Sequence, residues 1–219
     1  MSSPPLLFDL DGTLTDPSPG FLASIRFAMS RLGLPDRPDQ ELLPFIGPPL
    51  RDTIGTMLGI DDRELIEQGV EWYRERLDNG GKFEAKVIPG IPDLLEDLVA
   101  AEVPLFVCTG KPEGVANEII DHFGFRPCFR KVYGAKLDGR HCDKADLIRH
   151  LWEVEEIEIN KGALVGDTVY DMRAAKACGL EAIAVSWGFG RNEDLVAEGA
   201  DTLATSVEAL REALGPYLR

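Results

Sequence analysis

The chain has 219 residues, 44% of them hydrophobic and 28% charged, which excludes a disordered chain and leaves room for one substantial core with a smaller dependent domain. No apolar run approaches the roughly 20 residues of a membrane-spanning helix. A formal charge of -15, from 23 Lys and Arg against 38 Asp and Glu, repels polyanions and argues against nucleic acid as a partner, while a small anion can still enter a locally positive pocket. Residues 1–5 carry no basic side chain and run straight into an apolar segment, unlike a secretory leader, so a cytoplasmic location is expected. Cys108, Cys128, Cys142 and Cys178 are scattered without a Cys-x-x-Cys pair, and His122, His141 and His150 lack metal-ligand spacing, so neither set suggests a zinc or redox centre.

In chain order, residues 6–10 form the first short apolar run. A stretch with helical periodicity and no strand follows over 16–83. Phe21, Ile25, Ala28, Met29 and Leu32 make one apolar stripe, and Leu65, Ile66, Val70, Tyr73 and Leu77 make another. Turns rich in Pro and Gly at 35–38 and 47–49 separate them. This stretch is too long for a simple crossover and describes an all-helical cap domain inserted at 16–83, with 1–15 and 84–219 forming the core domain. Beyond it, apolar runs at 103–108, 129–133, 163–165 and 182–185 alternate with helical stripes: Leu94, Leu95 and Leu98; Leu147, Ile148 and Leu151; Val207, Leu210, Leu214 and Leu218. That alternation specifies an α/β fold, a doubly wound, three-layer, Rossmann-like parallel sheet.

Open parallel sheets collect ligands at the carboxyl ends of their strands, and chemistry-bearing residues fall there repeatedly. The first run ends in Phe8-Asp9-Leu10-Asp11-Gly12-Thr13. Asp-Gly alone is a turn signal, but Asp9 follows a buried run, where an unpaired carboxylate costs on the order of several kcal/mol. A metal-binding or catalytic role accounts for it, and strand alternation puts Asp11 on the same side. A second acid pair follows the run 163–165 in Gly166-Asp167-Thr168-Val169-Tyr170-Asp171. Asp171 by itself reads as a helix-capping acid; Asp167, at a strand end like Asp9, is the stronger signal. Such carboxylates suit Mg2+, which takes oxygen ligands, keeps several waters and combines one or two carboxylates with a substrate phosphate. Asp9 and Asp167 would supply carboxylate oxygens, Asp11 its backbone carbonyl, and Asp171 a hold on a coordinated water. Cys108-Thr109-Gly110-Lys111-Pro112 offers a hydroxyl and a turn of amides ahead of a helix, an arrangement that favours phosphate. Lys144, at the N-terminal end of a helix, opposes the macrodipole and so points to an anionic partner, with Lys111 and Lys136 competing for the same role.

Taken in order, Asp-x-Asp-Gly-Thr at 9–13, Thr-Gly at 109–110, a lysine, and Gly-Asp-x-x-x-Asp at 166–171 resemble the haloacid dehalogenase (HAD) superfamily along the whole chain. Within it the sequence looks like the phosphoglycolate phosphatase-like branch with an alpha-helical cap. The resemblance implies a Mg2+-dependent phosphatase hydrolysing small phosphomonoesters, phosphoglycolate or 5'-nucleotide-like. In it Asp9 is the nucleophile that forms an aspartyl phosphate, and Asp11 is the general acid and later the base. Thr109 and Lys144 would hold the transferring group, with Gly110 and Lys111 beside them on the substrate. Residues 45–51 resemble a cap substrate loop, where Arg51 either meets a second anionic group or is a solvated helix arginine. Residues 134–140 resemble a subgroup described as nucleotidases or phosphoglycolate phosphatases. Thr15 and Gly110 depart from the commonest family wording without removing a catalytic group. A phosphosugar mutase shares the fold and the acids, and a receiver-type signalling module also phosphorylates an aspartate, though with its acids distributed differently. The implied partner is a small phosphorylated metabolite, and the implied assembly a monomer or homodimer.

Overall fold

A computed structural model describes residues 3–59, 61–136, 140–157 and 162–218. Its first elements are β1 (Leu6–Phe8), β2 (Thr15–Asp16), α1 (Ser18–Arg31), α2 (Asp39–Leu42), α3 (Leu50–Leu58), α4 (Arg63–Asp78) and β3 (Lys86–Val87). There follow α5 (Ile91–Ala100), β4 (Leu105–Pro112), α6 (Glu113–His122), β5 (Lys131–Ala135), α7 (Lys144–Glu155) and β6 (Ala163–Gly166). The chain closes with α8 (Val169–Ala177), β7 (Glu181–Val185), α9 (Asn192–Ala197), β8 (Thr202–Ala204) and α10 (Val207–Ala213). Contacts divide it into two compact units, Asp16–Lys86 and the remainder of the chain on either side.

The larger unit is built on a six-stranded sheet in the order β5-β4-β1-β6-β7-β8, parallel at every pairing. Leu7 stands opposite Phe106 on one side and Leu164 on the other. Because side chains alternate across a strand, Leu6 and Phe8 join a core with Leu94, Leu98, Ile119, Ile120 and Leu210, contributed by α5, α6 and α10. Leu7 and Phe106 point the other way, into a core with Leu147, Leu151, Met172 and Ala175 from α7 and α8. Helices thus cover both faces, and the near-continuous apolar strands are what a doubly covered parallel sheet requires. The sheet and its helix layers are those of the expected α/β, Rossmann-like fold. The chain runs outward from β1 through β4 to β5, then starts again on the other flank at β6, so β1 lies at the point where strand order reverses. Crevices open at such points, beyond the carboxyl ends of the strands.

The unit Asp16–Lys86 is helical. Phe21, Ile25, Ala28 and Met29 of α1 are buried, as are Ile54 and Met57 of α3 and Val70 and Leu77 of α4. Gly69 lets α4 approach closely: a Cβ there would lie 2.8 Å from Ile54 Cγ2. Phe21 and Tyr73 pack with ring centroids 5.9 Å apart. Asp62 caps α4, accepting from the amides of Glu64 and Leu65 at 3.0 and 3.1 Å.

Several local expectations shift. β1 stops at Phe8 rather than at residue 10, because the chain folds back at once: the amides of both Leu14 and Thr15 donate to Leu10 O. Residues 109–112, expected as a turn, continue β4 through an irregularity in register between Thr109 and Pro112. β5 begins two residues later than the run at 129–133, since Phe129 ends a short helical turn and packs edge-on against Phe8 at 6.2 Å. Strand β8 carries too few apolar residues to announce itself, and Leu214 and Leu218 lie beyond the end of α10. Of the residues at 134–140 singled out in the sequence, 137–139 lie outside the described residues.

Candidate active site

Three segments bring acids to the switch point. The amide of Asp9 donates to Val165 O at 2.9 Å, fixing the end of β1 to β6. Asp167 follows β6 directly, and Asp171 lies in the first turn of α8. Carboxylate oxygens of Asp9, Asp167 and Asp171 all lie within 4.8 Å of one another, and all three residues are buried. Glycines make this approach possible. A Cβ at Gly12, whose φ is +83°, would sit 2.2 Å from Asp167 Oδ2, and one at Gly188 would sit 2.2 Å from Asp167 Cβ, so any side chain at either position displaces the acid.

Asp167 is held from several directions. Its Oδ1 accepts from Thr13 Oγ1 at 3.3 Å, its Oδ2 from the Phe189 amide at 2.9 Å, and its backbone carbonyl from the Gly190 amide at 3.1 Å. The indole N–H of Trp187 in turn donates to Thr13 O at 3.3 Å. Thr13 enters the sequence analysis only as a letter of the 9–13 motif, with no role, and the segment Trp187-Gly188-Phe189-Gly190 is absent from it. Two glycines immediately after an apolar strand run were the available signal. Replacing Gly188 with Ala is expected to cost about 1–3 kcal/mol by overpacking and to weaken cation binding with it, measured by denaturant unfolding and by calorimetric titration of Mg2+; unchanged values in both would count against this role.

The lysines separate clearly. Lys144 Nζ bonds Asp171 Oδ1 and lies 3.1 Å from Asp9 Oδ1. Lys111 Nζ is taken by the carboxylate of Asp11, and Lys136 Nζ donates to Glu113 at 2.6 Å. Asp171 Oδ2 accepts from the amide and hydroxyl of Thr168 at 2.9 and 2.6 Å. Asp171 therefore ties Lys144 to the start of α8 as well as joining the acid cluster. Thr109 is buried on β4, the strand beside β1, and its hydroxyl accepts from the Lys111 amide at 3.3 Å. Gly110 beside it is exposed. Arg51, in the helical unit, is engaged by Glu67 through two hydrogen bonds of 2.5 and 3.0 Å.

The charges do not balance. Among the described residues, the cluster gathers three carboxylates around a single ammonium. Burial, reinforced by Asp171 against the opposing pull of Lys144, pushes the Asp9 carboxyl up to about 6. Burial, with Asp171 and Asp9 nearby, raises Asp167 well above the usual carboxylate range. Burial works against the charge on Lys144, but Asp171 and Asp9 outweigh it and the amine stays protonated. Asp9 Oδ1 is buried and has no hydrogen bond among the described residues, although Lys144 Nζ is an ion-pair partner at 3.1 Å. An unsatisfied carboxylate oxygen among hard oxygen donors of excess negative charge fits a divalent cation such as Mg2+.

Residues 6–185 match the haloacid dehalogenase-like hydrolase family. The chain belongs to that family. Over 212 residues, 96% of this chain and 95% of the relative, it is 42% identical to a 5'-nucleotidase of Pseudomonas aeruginosa. It is also 36% identical over 213 residues to the tyrosine-protein kinase PtkA of Mycobacterium tuberculosis, covering 96% of this chain and 72% of that protein. Among solved structures, a predicted phosphatase from Clostridium acetobutylicum superposes with a TM-score of 0.92 at 32% identity, covering 99% of this chain and all of that one. No helix among the described residues is long and apolar enough to cross a membrane.

Proposed function

We propose that this HAD-family protein is a Mg2+-dependent phosphatase of small phosphomonoesters, acting through a phosphorylated Asp9. The observation that carries the reading is the convergence of Asp9, Asp167 and Asp171, buried and within 4.8 Å, at an Asp9 oxygen that has no hydrogen bond among the described residues. Asp9, Asp167, Asp171 and the backbone carbonyl of Asp11 would hold the cation. When bound, it neutralises phosphoryl oxygens and lets an anionic ester approach an anionic nucleophile.

The chain's own groups do the rest. One Asp9 oxygen attacks phosphorus, forming the aspartyl phosphate as the ester oxygen leaves. Asp11, held by Lys111 at the turn after β1, gives the leaving oxygen its proton and then takes one from the water that cleaves the acyl phosphate. Lys144 and the Thr109 hydroxyl steady the non-bridging oxygens. The relative from P. aeruginosa is named a 5'-nucleotidase, which favours the 5'-nucleotide-like of the two substrates that the sequence resemblance implies, with phosphoglycolate the alternative.

The test is phosphate release from a broad panel of phosphomonoesters with and without Mg2+. Turnover that requires the metal is the expected result; no turnover of any ester with Mg2+ present would overturn the reading. Phosphate release independent of any bisphosphate activator separates it from a mutase. Labelling of protein tyrosine from ATP without ester hydrolysis would favour the activity named for PtkA.

A pH dependence follows from the cluster. Without metal the folded protein retains protons on Asp9 up to about pH 6, whereas the unfolded chain releases them near 4. Stability from this group therefore falls as pH rises through that window. A cation competes with those protons, so Mg2+ is expected to raise the melting temperature several degrees more at pH 8 than at pH 5, an effect of about 1–2 kcal/mol. A thermal-shift titration at the two pH values measures it, and equal shifts would contradict it.

A further inference from the structure

We infer that a pair of stacked imidazoles, His141 on His150, is the positioning device that aims Lys144 into the acid cluster. The inference deepens the proposed function, because it rests on Lys144 holding the transferring phosphoryl group.

Lys144 occupies the first position of α7, where a helix has no preceding turn to hold it. The chain enters that position through an uncommon conformation: His141 has φ +56°, a left-handed backbone at a residue that carries a side chain. Such conformations persist where neighbouring contacts over-determine them, and His141 has two such contacts, with Asp146 and with His150. His141 Nδ1 lies 2.9 Å from Asp146 Oδ2, so with a carboxylate acceptor this nitrogen carries the proton. The ring of His141 stacks on that of His150 with centroids 4.3 Å apart and planes within 10°. Asp146 and His150 are four residues apart on α7 and so share one helix face. His150 is in turn fixed edge-on against Tyr133 of β5 at 6.2 Å, and Tyr133 is buried against Phe106 of β4.

A continuous line of contacts therefore runs from the sheet through Tyr133, His150 and His141 to the segment that delivers Lys144. Asp143 completes it by accepting from the Asp146 amide at 2.9 Å as the helix cap. No part of this line touches the acids themselves. Its effect is to hold the helix start, so that the Lys144 amine meets Asp9 and Asp171 rather than swinging toward solvent. His141 and His150 are positioning residues in this scheme, acting only through Lys144.

The test compares His150→Ala, which removes the platform, with His150→Phe, which keeps a flat ring. Full-length protein is reductively methylated in Mg2+ buffer and each lysine is quantified by mass spectrometry. Lys111 serves as the internal control, since its side chain is 12% exposed against 8% for Lys144. His150→Ala is expected to speed labelling of Lys144 about fivefold or more, with Lys111 unchanged, and to lower kcat/KM about tenfold. His150→Phe is expected to restore both. His141→Ala, which leaves the Tyr133–His150 contact in place, should reproduce the Ala effect and serves if the first variant does not fold. Unchanged Lys144 labelling would overturn the inference, as would Lys111 rising in step with Lys144, which reports general loosening. The labelling needs no catalysis, so inactive wild-type protein would count against the proposed function while leaving this inference to be decided separately.

Discussion

Asp9→Asn is expected to lose phosphatase activity by about 10⁴-fold or more while the metal-free protein becomes no less stable. The two halves of this expectation have separate causes. The amide keeps the shape of the carboxylate but has no anionic oxygen to attack phosphorus. It also removes a carboxyl that burial, reinforced by Asp171, pushes up to about 6, a relief on the order of 1–3 kcal/mol at neutral pH. Lys144 keeps its other partner, Asp171. Steady-state phosphate release paired with urea unfolding in chelator measures both. An active variant would remove Asp9 from the chemistry, and an inactive but strongly destabilised one would assign it a structural role instead.

Lys144→Met is expected to act in the opposite sense on stability. Removing the one cation that reaches the cluster among the described residues leaves its acids uncompensated, a loss of about 3–5 kcal/mol for a broken buried pair. Activity is expected to fall about 10³-fold, as when one donor to a developing oxyanion is removed. The stability deficit depends on pH. Asp9 and Asp167 already sit above their usual range in the folded protein, and without Lys144 they rise further. Protonation relieves the repulsion at pH 5 and is progressively lost toward pH 8, so the deficit widens as pH rises. Urea unfolding at both pH values gives the comparison, and a deficit that is the same at each would show that packing, not charge, dominates.

Much of this arrangement was legible in the sequence because each decisive acid sits at a strand end that hydrophobic periodicity locates. The runs containing Leu7, Val107 and Leu164 are apolar on both alternations, the mark of strands covered on two faces. Asp9 and Asp167 interrupt such runs at their carboxyl ends, and the switch-point rule then makes them neighbours. Less legible was whatever depends on distant pairing. Lys144, Lys111 and Lys136 look alike in sequence, and only the fold gives each a different acid. Thr13 and the Phe189 amide bond Asp167 from opposite sides, yet one reads as part of a turn and the other is backbone, which leaves no side-chain signature. The irregular end of β4 escaped for a related reason, since a shift in strand register is a relation between β4 and β5 and belongs to neither alone.

The central place of β1 has a consequence for how the protein matures. Thr13 and Asp167, which meet in the site, are 154 residues apart in the chain, and β6 must be in register with β1 before the acids are neighbours. Contacts closing loops of that length form late, after local helices and hairpins. A half-folded chain thus displays its acids as two separate local pairs, Asp9 with Asp11 and Asp167 with Asp171, and the three-carboxylate cluster proposed to hold the cation assembles only when β1 and β6 pair.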